Sequence, residues 1–297
     1  MQAPDVVVVG AATRDLSDED PRGWMLGGGV TFGALALARL GLRTGVVLGV
    51  DAAAATAREL DLIRDSGAEI VTVPLDRGPI FTNLETLSGR VQILGSLSDP
   101  VPVAALPEAW RDARAWVFAP IASELPDEWV EAPSPDSCVA FAWQGILRKL
   151  QPGQRVEPKL PGPSPFLVRA DIVAASRHDI PSHLPLREVG SWLGPRTDLL
   201  LTAGLLGGSL IRFVDGRIVK MRIYPSVPSR GEVDPTGAGD TMLAGLVAAR
   251  LVAGDDSQEL GRDVYVGAAA SSLLVEGPGM NSVPTFAQLL ARTIGSL

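Results

Sequence analysis

The stretch "VDPTGAGDTMLAGLVAARL" (residues 233–251) places a glycine-containing turn directly before a long, apolar, helix-favouring segment. Glycines at 237 and 239 allow successive backbone N–H groups to point into one concavity, and the helix that follows adds the positive end of its dipole. The stretch therefore predicts an anion site formed by Gly237, Ala238, Gly239 and Asp240, with the carboxylate in the first helical turn.

Asp240 has two interpretations at this position. An aspartate at the start of a helix is a favourable cap, and the helix dipole favours its charged form at neutral pH. A carboxylate beside a bound phosphate can also accept the proton of an attacking alcohol, because phosphoryl transfer depends mainly on positioning and charge stabilisation. The two roles are compatible.

The other common phosphate-binding motifs are missing from the sequence. The first apolar segment ends in "GAATRD", which lacks the G-x-G-x-x-G spacing of a dinucleotide site, and no G-x-x-x-x-G-K-[ST] segment occurs. The H-R-D and D-F-G signatures of protein kinases are also missing. If the protein handles phosphate, backbone amides must hold it.

The bulk composition is that of a globular protein that binds neither nucleic acid nor membrane. The chain has 297 residues, 46% hydrophobic and 20% charged, with a net charge of −8. Nucleic-acid binding needs a basic surface, which an acidic chain without a basic cluster does not provide. No apolar segment is long enough to span a bilayer, and the first residues do not form a signal peptide, so we expect a cytoplasmic protein.

Apolar strands alternate with helical segments along most of the chain. "DVVVVG" (5–10) is a short β-branched segment typical of a strand buried on both faces, and further strands and helices follow it in turn. This alternation predicts an α/β fold with a parallel sheet covered by helices. We predict strands at 44–50, 68–73, 115–120, 138–143, 171–176 and 197–204; hairpins at 78–96, turned at Ser88-Gly89, and 209–224, turned at Asp215-Gly216; a helix within 27–41, after a glycine-rich entry and ending at Gly41; helices at 52–67, 238–253, 259–275 and 285–295; and an irregular loop at 151–166.

Several of these segments together resemble the ribokinase-like, or PfkB, carbohydrate kinases. "DPTGAGD" (234–240) is similar to that family's signature, "GGGVTFGALALARLGLRTGVVLGVD" (27–51) to its N-terminal signature, and "TAGLLGG" (202–208) to its T-x-G-x-x-G nucleotide segment. The hairpin at 78–96 resembles its lid. The resemblance implies a three-layer α/β/α sandwich with a mainly parallel central sheet and a small β-clasp lid. It also implies a single domain over 1–297, with lid segments at about 13–27 and 76–96.

The resemblance assigns catalytic roles to the 234–240 motif. Asp240 matches the base that deprotonates the acceptor hydroxyl, and the amides of 237–240 match the anion hole. Asp234 matches an aspartate that lies beside a potassium site in many members; a turn aspartate before proline is the alternative. ATP and Mg²⁺ are the implied cofactors, and K⁺ is a further one.

The substrate-binding residues implied by the resemblance are Asp15, Gly27 and Gly28. Asp15 follows the first strand, where a carboxylate can orient two hydroxyls, although it also lies in the acidic segment "RDLSDED". Phe32 occupies a position that is often asparagine in the family, and it either stacks on a ring or fills the core. Gln144, in the pattern Gln144-Gly145-x-x-Arg148, resembles a subset that includes inositol-type kinases; a surface glutamine is equally compatible with the sequence.

The nucleotide-binding residues implied by the resemblance are Thr202, Gly204 and Gly207, together with Ser176. The family's N-x-x-E segment, which is associated with magnesium and phosphates, has serine and aspartate here, at Ser176 and Asp179. Both keep oxygen ligands but are shorter, so we expect Asp179 to support Mg²⁺ through water. A strand end followed by a helix cap is the alternative for this segment.

The implied function is ATP-dependent phosphorylation of a hydroxyl group on a small sugar or polyol, with an inositol-type substrate as one form of it. A nucleoside kinase of the same fold is an alternative, since Phe32 could stack on a base. A non-catalytic ligand-binding member is another, favoured by the altered 176–179 segment. The resemblance also implies a homodimer through the β-clasp.

Overall fold

The computed structural model describes residues 3–86, 89–253 and 261–294, so Ser88 of the predicted 78–96 turn and the start of the predicted 259–275 helix lie outside the described residues. The strands are β1 (Val6–Ala11), β2 (Thr13–Leu16), β3 (Trp24–Gly27), β4 (Thr44–Val50), β5 (Glu69–Pro74), β6 (Ile80–Thr86), β7 (Gly89–Ser96), β8 (Ala115–Phe118), β9 (Cys138–Ala142), β10 (Arg148–Lys149), β11 (Glu157–Pro158), β12 (Ile172–Ser176), β13 (Arg196–Thr202), β14 (Gly208–Val214) and β15 (Arg217–Tyr224). The helices are α1 (Gly29–Arg39), α2 (Glu59–Asp65), α3 (Pro165–Arg169), α4 (Leu186–Gly190), α5 (Ala238–Ala253), α6 (Arg262–Leu274) and α7 (Phe286–Ile294).

Nine strands form the central sheet, in the order β15-β14-β13-β12-β9-β8-β1-β4-β5. The seven from β13 to β5 are parallel to one another, and β14 and β15 add an antiparallel hairpin at one edge. All six residues of β1 are buried, as the valine-rich segment predicts for a strand covered on both faces. The mainly parallel α/β sheet and the 209–224 hairpin are therefore confirmed.

The two faces of the sheet are covered differently. One face packs against α1, α5 and α6 in an aliphatic core rich in leucine, valine and alanine. The core on the other face contains large aromatic side chains and short helices, with four fully buried tryptophans: Trp110, Trp116, Trp129 and Trp143. Among the described residues, this face of the sheet is thus covered by large aromatic side chains and short helices, and not by long helices.

One predicted helix is wrong in its extent. Residues 52–67 do not form a continuous helix; a 3₁₀ turn at Ala54–Thr56 is followed by α2 at Glu59–Asp65. Between them Ala57 adopts extended dihedral angles (φ −69°, ψ 126°). The carboxylate of Asp51 caps the turn by accepting N–H bonds from Ala53 and Ala54, so a local cap interrupts a sequence with high helix propensity.

A second sheet of four strands, in the order β3-β2-β6-β7, lies beside the central one. We call it the lid sheet, because its strands come from the segments that resemble the family's lid. Two arginines of the lid sheet's β2–β3 hairpin contact carboxylates of the main body: Arg14 pairs with Asp51 at 2.8 Å, and Arg22 pairs with Glu59 at 2.5 Å. Arg22 also lies 4.4 Å from the ring centre of Trp24. These contacts fix the hairpin against β4 and α2.

The loop predicted at 151–166 joins the lid sheet along the outer edge of β7. Leu94 accepts an N–H bond from Gly153 at 2.7 Å and donates one to Gln154 at 3.0 Å, and Val156 donates one to Gln92 at 2.8 Å. The segment is therefore ordered by backbone pairing, and it contains β11 and the start of α3, so the prediction of an irregular loop is wrong for these residues. It covers a strand edge that would otherwise present unpaired N–H and C=O groups.

No helix in the described ranges is long and apolar enough to cross a membrane.

A buried ion network joins the sheet to α5 at the edge where the parallel strands begin. Asp198 is 3% exposed and receives Arg212 at 2.7 Å and Arg250 at 2.6 Å, and Arg250 also contacts Asp263 at 2.6 Å. The neighbouring guanidinium groups hold the pKa of Asp198 below its usual value against the opposing effect of burial. Each charge in the network is compensated by a close partner.

We predict that Asp198→Ala lowers the free energy of unfolding by about 3–5 kcal/mol, because it leaves Arg212 without this compensating charge in the interior. Asp61→Ala is the matched control, since Asp61 forms an exposed ion pair with Arg64. Urea unfolding of the three proteins measures the effect. An Asp198→Ala midpoint equal to that of Asp61→Ala would contradict the prediction.

Candidate active site

The turn before α5 is shaped by a close contact between Gly237 and Phe32. Gly237 has φ +80°, a conformation that favours glycine, and a Cβ built on it would lie 2.2 Å from the Phe32 ring. The N–H of Ala238 donates to the Pro235 carbonyl at 3.1 Å, and that of Thr241 donates to the Gly237 carbonyl at 2.9 Å. The turn therefore leads directly into α5, which begins at residue 238, as the sequence predicts.

Asp240 lies in the first turn of α5 and is partly buried. Burial raises the pKa of its carboxyl group to about 6, and the positive charge of Arg148 and the residue's own backbone N–H act in the opposite direction. The helix dipole was expected to favour the charged form; desolvation outweighs it here. A carboxylate with this pKa is mostly ionised at neutral pH and is still basic enough to accept a proton.

The three consecutive glycines 27–29 lie between Asp15 and Asp240. A Cβ built on Gly27 would lie 2.5 Å from Oδ2 of Asp15, and one built on Gly29 would lie 2.6 Å from Oδ1 of Asp240. Gly28 between them has φ +102°. The glycine segment thus allows the backbone to approach both carboxylates, one from the lid sheet and one from α5. Gly29 was not among the predicted site residues; the third glycine of "GGG" was the available signal.

Asp15 lies on β2, directly after the carboxyl end of β1. Its Oδ1 accepts a hydrogen bond from the Thr13 hydroxyl at 3.1 Å. Asp15 is partly exposed. We call the region between Asp15 and Asp240 the cleft.

Phe32 lies in α1 and is 2% exposed. Its ring packs against Gly237 rather than toward the cleft. Of the two interpretations of Phe32, its burial favours the one in which the side chain fills the core. The ring also packs against the turn before α5.

Gln144 and Asp179 meet across two neighbouring parallel strands. Gln144 follows β9, Asp179 follows β12, and the amide Nε2 of Gln144 donates to Oδ2 of Asp179 at 3.4 Å. Burial raises the pKa of Asp179, while Arg148 and this hydrogen bond lower it. Gln144 is therefore a partner of Asp179, and not a solvated surface residue.

Arg148 is a functional candidate that the sequence analysis did not include among the site residues. Its charge lowers the pKa of both Asp240 and Asp179. Three residues earlier, Gly145 packs closely against the backbone of Pro120, whose carbonyl oxygen would lie 2.0 Å from a Cβ at that position. The spacing Gly145-x-x-Arg148 was the signal that could have identified this residue.

The segments that resemble the nucleotide site lie at the carboxyl ends of β12 and β13. Ser176 pairs with Thr202 in register, and the Ser176 hydroxyl accepts the N–H of His178 at 3.2 Å. Gly204 and Gly207 both have positive φ, at 56° and 79°, and enclose a one-turn 3₁₀ helix. This turn exposes Leu205 and Leu206, which are 73% and 84% exposed.

Asp234 joins two loops next to the start of α5. Its Oδ1 accepts the N–H of Thr236 at 2.9 Å, and its Oδ2 accepts the N–H of Gly279 at 3.1 Å. These bonds match the turn-aspartate interpretation. Whether Asp234 also supports a monovalent cation stays a prediction.

The carboxylates of the cleft suit a metal ion that keeps most of its water. Within residues 3–86, 89–253 and 261–294, no group of three or more His, Cys, Asp or Glu side chains is arranged to hold a metal. Asp179 offers one carboxylate at the carboxyl edge. Mg²⁺ is commonly bound through one or two carboxylates plus phosphates and water, so the residues present fit this mode.

We predict that Arg148→Met raises the pKa of Asp240 above its wild-type value of about 6, because the variant removes the charge that stabilises the carboxylate. Titration of the Asp240 ¹³Cγ resonance, assigned with Asp240→Asn, measures this pKa. Lys149→Met is the control, since it removes the neighbouring positive charge, which pairs with Glu157 at the surface. Equal pKa values in the two variants would contradict the assigned influence of Arg148.

Comparison with known proteins gives a partial match to one family and a match of the whole fold. Residues 211–285 match the model of the pfkB family carbohydrate kinases, a range that includes the 234–240 motif. No curated protein sequence matches the chain.

Solved structures with the ribokinase fold cover nearly the whole chain. A pyrophosphate-dependent kinase in the ribokinase family, complexed with a pyrophosphate analogue and myo-inositol, superposes with a TM-score of 0.74 at 19% identity, over 96% of this chain and 99% of that chain. Ribokinase from Arabidopsis thaliana, complexed with ribose and ATP, gives 0.68 at 19% identity, over 98% and 99%. A nucleoside kinase from Methanocaldococcus jannaschii gives 0.65 at 13% identity, over 99% and 100%. The chain thus has the predicted ribokinase fold, and its residues 211–285, which include the 234–240 motif, are similar to the pfkB family carbohydrate kinases.

Proposed function

We propose that the protein catalyses ATP-dependent phosphorylation of a hydroxyl group on a small sugar or polyol. The observation that carries this proposal is the glycine segment 27–29, which approaches Asp15 at one end and Asp240 at the other. One carboxylate is placed to bind hydroxyl groups, and the other has a pKa of about 6 and lies at a helix start suited to phosphate.

Asp15 binds the acceptor. An ionised carboxylate has two oxygens and can accept hydrogen bonds from two neighbouring hydroxyl groups of one molecule. Gly27 and Gly28 carry no side chains, so the backbone can lie against the bound ring without obstruction. The acceptor is then oriented with one further hydroxyl directed toward Asp240.

The transfer step joins the acceptor oxygen to the γ-phosphorus of ATP. The attacking hydroxyl forms the new P–O bond as the bond between the γ-phosphorus and the bridging oxygen breaks, and ADP leaves. Asp240 accepts the hydroxyl proton. The N–H groups at residues 237–240 and the start of α5 stabilise the negative charge on the phosphoryl group as it is transferred.

The donor contacts are proposed at the turn after β13. Thr202, Gly204 and Gly207 shape this turn, and the exposed Leu205 and Leu206 offer an apolar surface on which a nucleobase can pack. This surface favours ATP over inorganic pyrophosphate, the donor of one similar structure. Arg148 lies close enough to influence both carboxylates of the cleft and would contribute positive charge beside the transferring group.

Ser176 and Asp179 would hold Mg²⁺ through water, and the ion would neutralise phosphate charge when bound. K⁺ dependence is predicted from the position of Asp234 alone. The residues themselves therefore supply acceptor orientation, the base and the anion hole, whichever ions accompany the nucleotide.

An inositol-type acceptor is the finer form of this proposal. Gln144 follows β9 at the carboxyl edge, and its bond to Asp179 orients its amide. A similar structure contains myo-inositol. The burial of Phe32 against Gly237 removes the reason for proposing base stacking in a nucleoside kinase, so a polyol is preferred.

A homodimer through the lid sheet is also proposed. Leu16 and Leu84, which are 42% and 44% exposed, lie in β2 and β6. Their burial between two copies would remove apolar surface from water.

The central test is a coupled assay with sugars, inositols and nucleosides as acceptors and with ATP or pyrophosphate as donor. We expect turnover of a sugar or polyol with ATP, rising with pH through about 6 as Asp240 loses its proton. Asp240→Asn removes the base and should lower kcat by about 10²–10⁴-fold while ATP still binds. Activity of this variant close to wild type would contradict the assigned role, and turnover only of nucleosides would support the alternative.

We predict that Gly29→Ala lowers kcat/KM by at least about tenfold, because the new methyl group would displace the Asp240 carboxylate, whose Oδ1 is 2.6 Å from the Cβ position. Gly33→Ala is the matched control in the same helix, where a Cβ meets its nearest neighbour, Val8, at 4.0 Å. Steady-state kinetics of both variants test this. Equal effects of the two substitutions would show that the approach at Gly29 is unimportant.

A further inference from the structure

A cavity of about 280 Å³ lies at the edge of the central sheet where the parallel strands begin. Its walls come from the segments before β9 and β12, from β13 and β14, and from the last turn of α5. Arg250 of that turn follows Asp240 by about 15 Å along the helix axis. The cavity is therefore separate from the candidate active site, which lies around the other end of the same helix.

The charged side chains of β13 and β14 point into the layer that contains α5. Leu200 of β13 and Leu210 of β14 belong to the aliphatic core on this face of the sheet. Because side chains alternate along a strand, Arg196 and Asp198 share the direction of Leu200, and Arg212 shares that of Leu210. The cavity thus has charged walls on the side of the sheet that α5 covers.

The charges of the cavity are separated from one side to the other. In the strand order β9-β12-β13-β14, the carboxylates of Asp136 and Asp171 come first, just before β9 and β12. The guanidinium groups of Arg196 and Arg212 follow, on β13 and β14. Asp198 of β13 is already paired with Arg212 at 2.7 Å. The cavity therefore has a negative side and a positive side.

Asp171 is the better fixed of the two carboxylates on the negative side. Its Oδ2 accepts the N–H of Val139 at 2.8 Å, which orients the group. Burial raises the pKa of Asp171, and this hydrogen bond and the nearby arginines lower it. An ammonium group beside the carboxylate would stabilise its ionised form further. Asp136 is exposed at the rim of the cavity and adds a second negative charge on this side.

The positive side combines an exposed guanidinium with two that are held in the protein. Arg196 is exposed at the start of β13, whereas Arg250 pairs with Asp198 and Asp263, each at 2.6 Å. A guanidinium has five N–H donors in a planar arrangement, so it can bind a ligand carboxylate and keep another partner. Leu251 adds apolar surface next to these charges.

We propose that this cavity binds a small zwitterion of the α-amino acid class, with its ammonium group at Asp171 and Asp136 and its carboxylate at Arg196. A ligand with one charge would match one side of the cavity and be repelled by the other, whereas a zwitterion matches both. The volume is just below the range of about 300–1,000 Å³ that is typical of pockets for drug-sized ligands, which suits a smaller molecule. The site is independent of the proposed function.

Cys138 provides a direct probe of the cavity, because it is the single cysteine of the sequence and lies in the cavity wall. The twenty standard L-amino acids are added one at a time to the full-length protein. The rate of alkylation by iodoacetamide and the melting temperature are measured for each. The amino acid with the largest effect is then compared with its amide, which lacks the carboxylate, and with its N-acetyl derivative, which lacks the ammonium group.

We expect at least one zwitterionic amino acid to slow alkylation and to raise the melting temperature. Its amide and its N-acetyl derivative should each bind at least about tenfold more weakly, because each lacks one charged partner. Asp171→Asn and Arg196→Gln should weaken binding of the amino acid by a similar factor. The asparagine keeps an oxygen that can accept the N–H of Val139. The controls Asp127→Asn and Arg187→Gln change exposed residues outside the cavity wall and should bind like wild type.

Three results would overturn the proposal. The first is that no amino acid changes the alkylation rate or the melting temperature. The second is that the amide or the N-acetyl derivative binds as tightly as the zwitterion, which would indicate a site for a single ion. The third is that folded Asp171→Asn or Arg196→Gln binds like its control. Phosphoryl transfer is not part of these measurements, so their failure would leave the proposed function intact.

Discussion

The structure depends on the close approach of one glycine segment to two carboxylates. Residues 27–29 end β3 of the lid sheet and begin α1 of the main body, and no side chain stands between their backbone and either Asp15 or Asp240. Any larger residue at 27 or 29 would push the two carboxylates away from the chain. Asp15, the proposed acceptor-binding residue, and Asp240, the proposed base, therefore both lie against the same few backbone atoms.

Electrostatics then determines what these carboxylates can do. Two effects act on the pKa of Asp240: burial raises it to about 6, and the positive charge of Arg148 limits that rise. Asp179 experiences the same two influences and is also oriented by Gln144. The positive charge of Arg148 lowers the pKa of both carboxyl groups, so both ionise more readily than burial alone would allow.

The fold and the turn before α5 could be predicted from the sequence, because the patterns that encode them are local. Valine-rich β1 and the glycine turn before α5 carry their structural preferences within a few residues, so the parallel sheet and the start of the helix at 238 could be predicted. Phe32, Arg148 and Gly29 could not be placed, because their roles come from contacts between distant segments, such as the ring of Phe32 against Gly237. The pairing of the 151–158 loop with β7 could not be predicted either. It is made by backbone hydrogen bonds, which any residue type except proline as a donor can form.

The central claim is that Asp240 acts as a base in a direct transfer from donor to acceptor, and the stereochemistry at phosphorus tests it most directly. The reaction is run with ATP made chiral at the γ-phosphorus with oxygen isotopes and sulfur, and the configuration of the product is determined. A single in-line displacement predicts inversion. Retention would require an even number of displacements, and therefore a covalent phosphoryl-enzyme, which would contradict the assignment of Asp240 as a base.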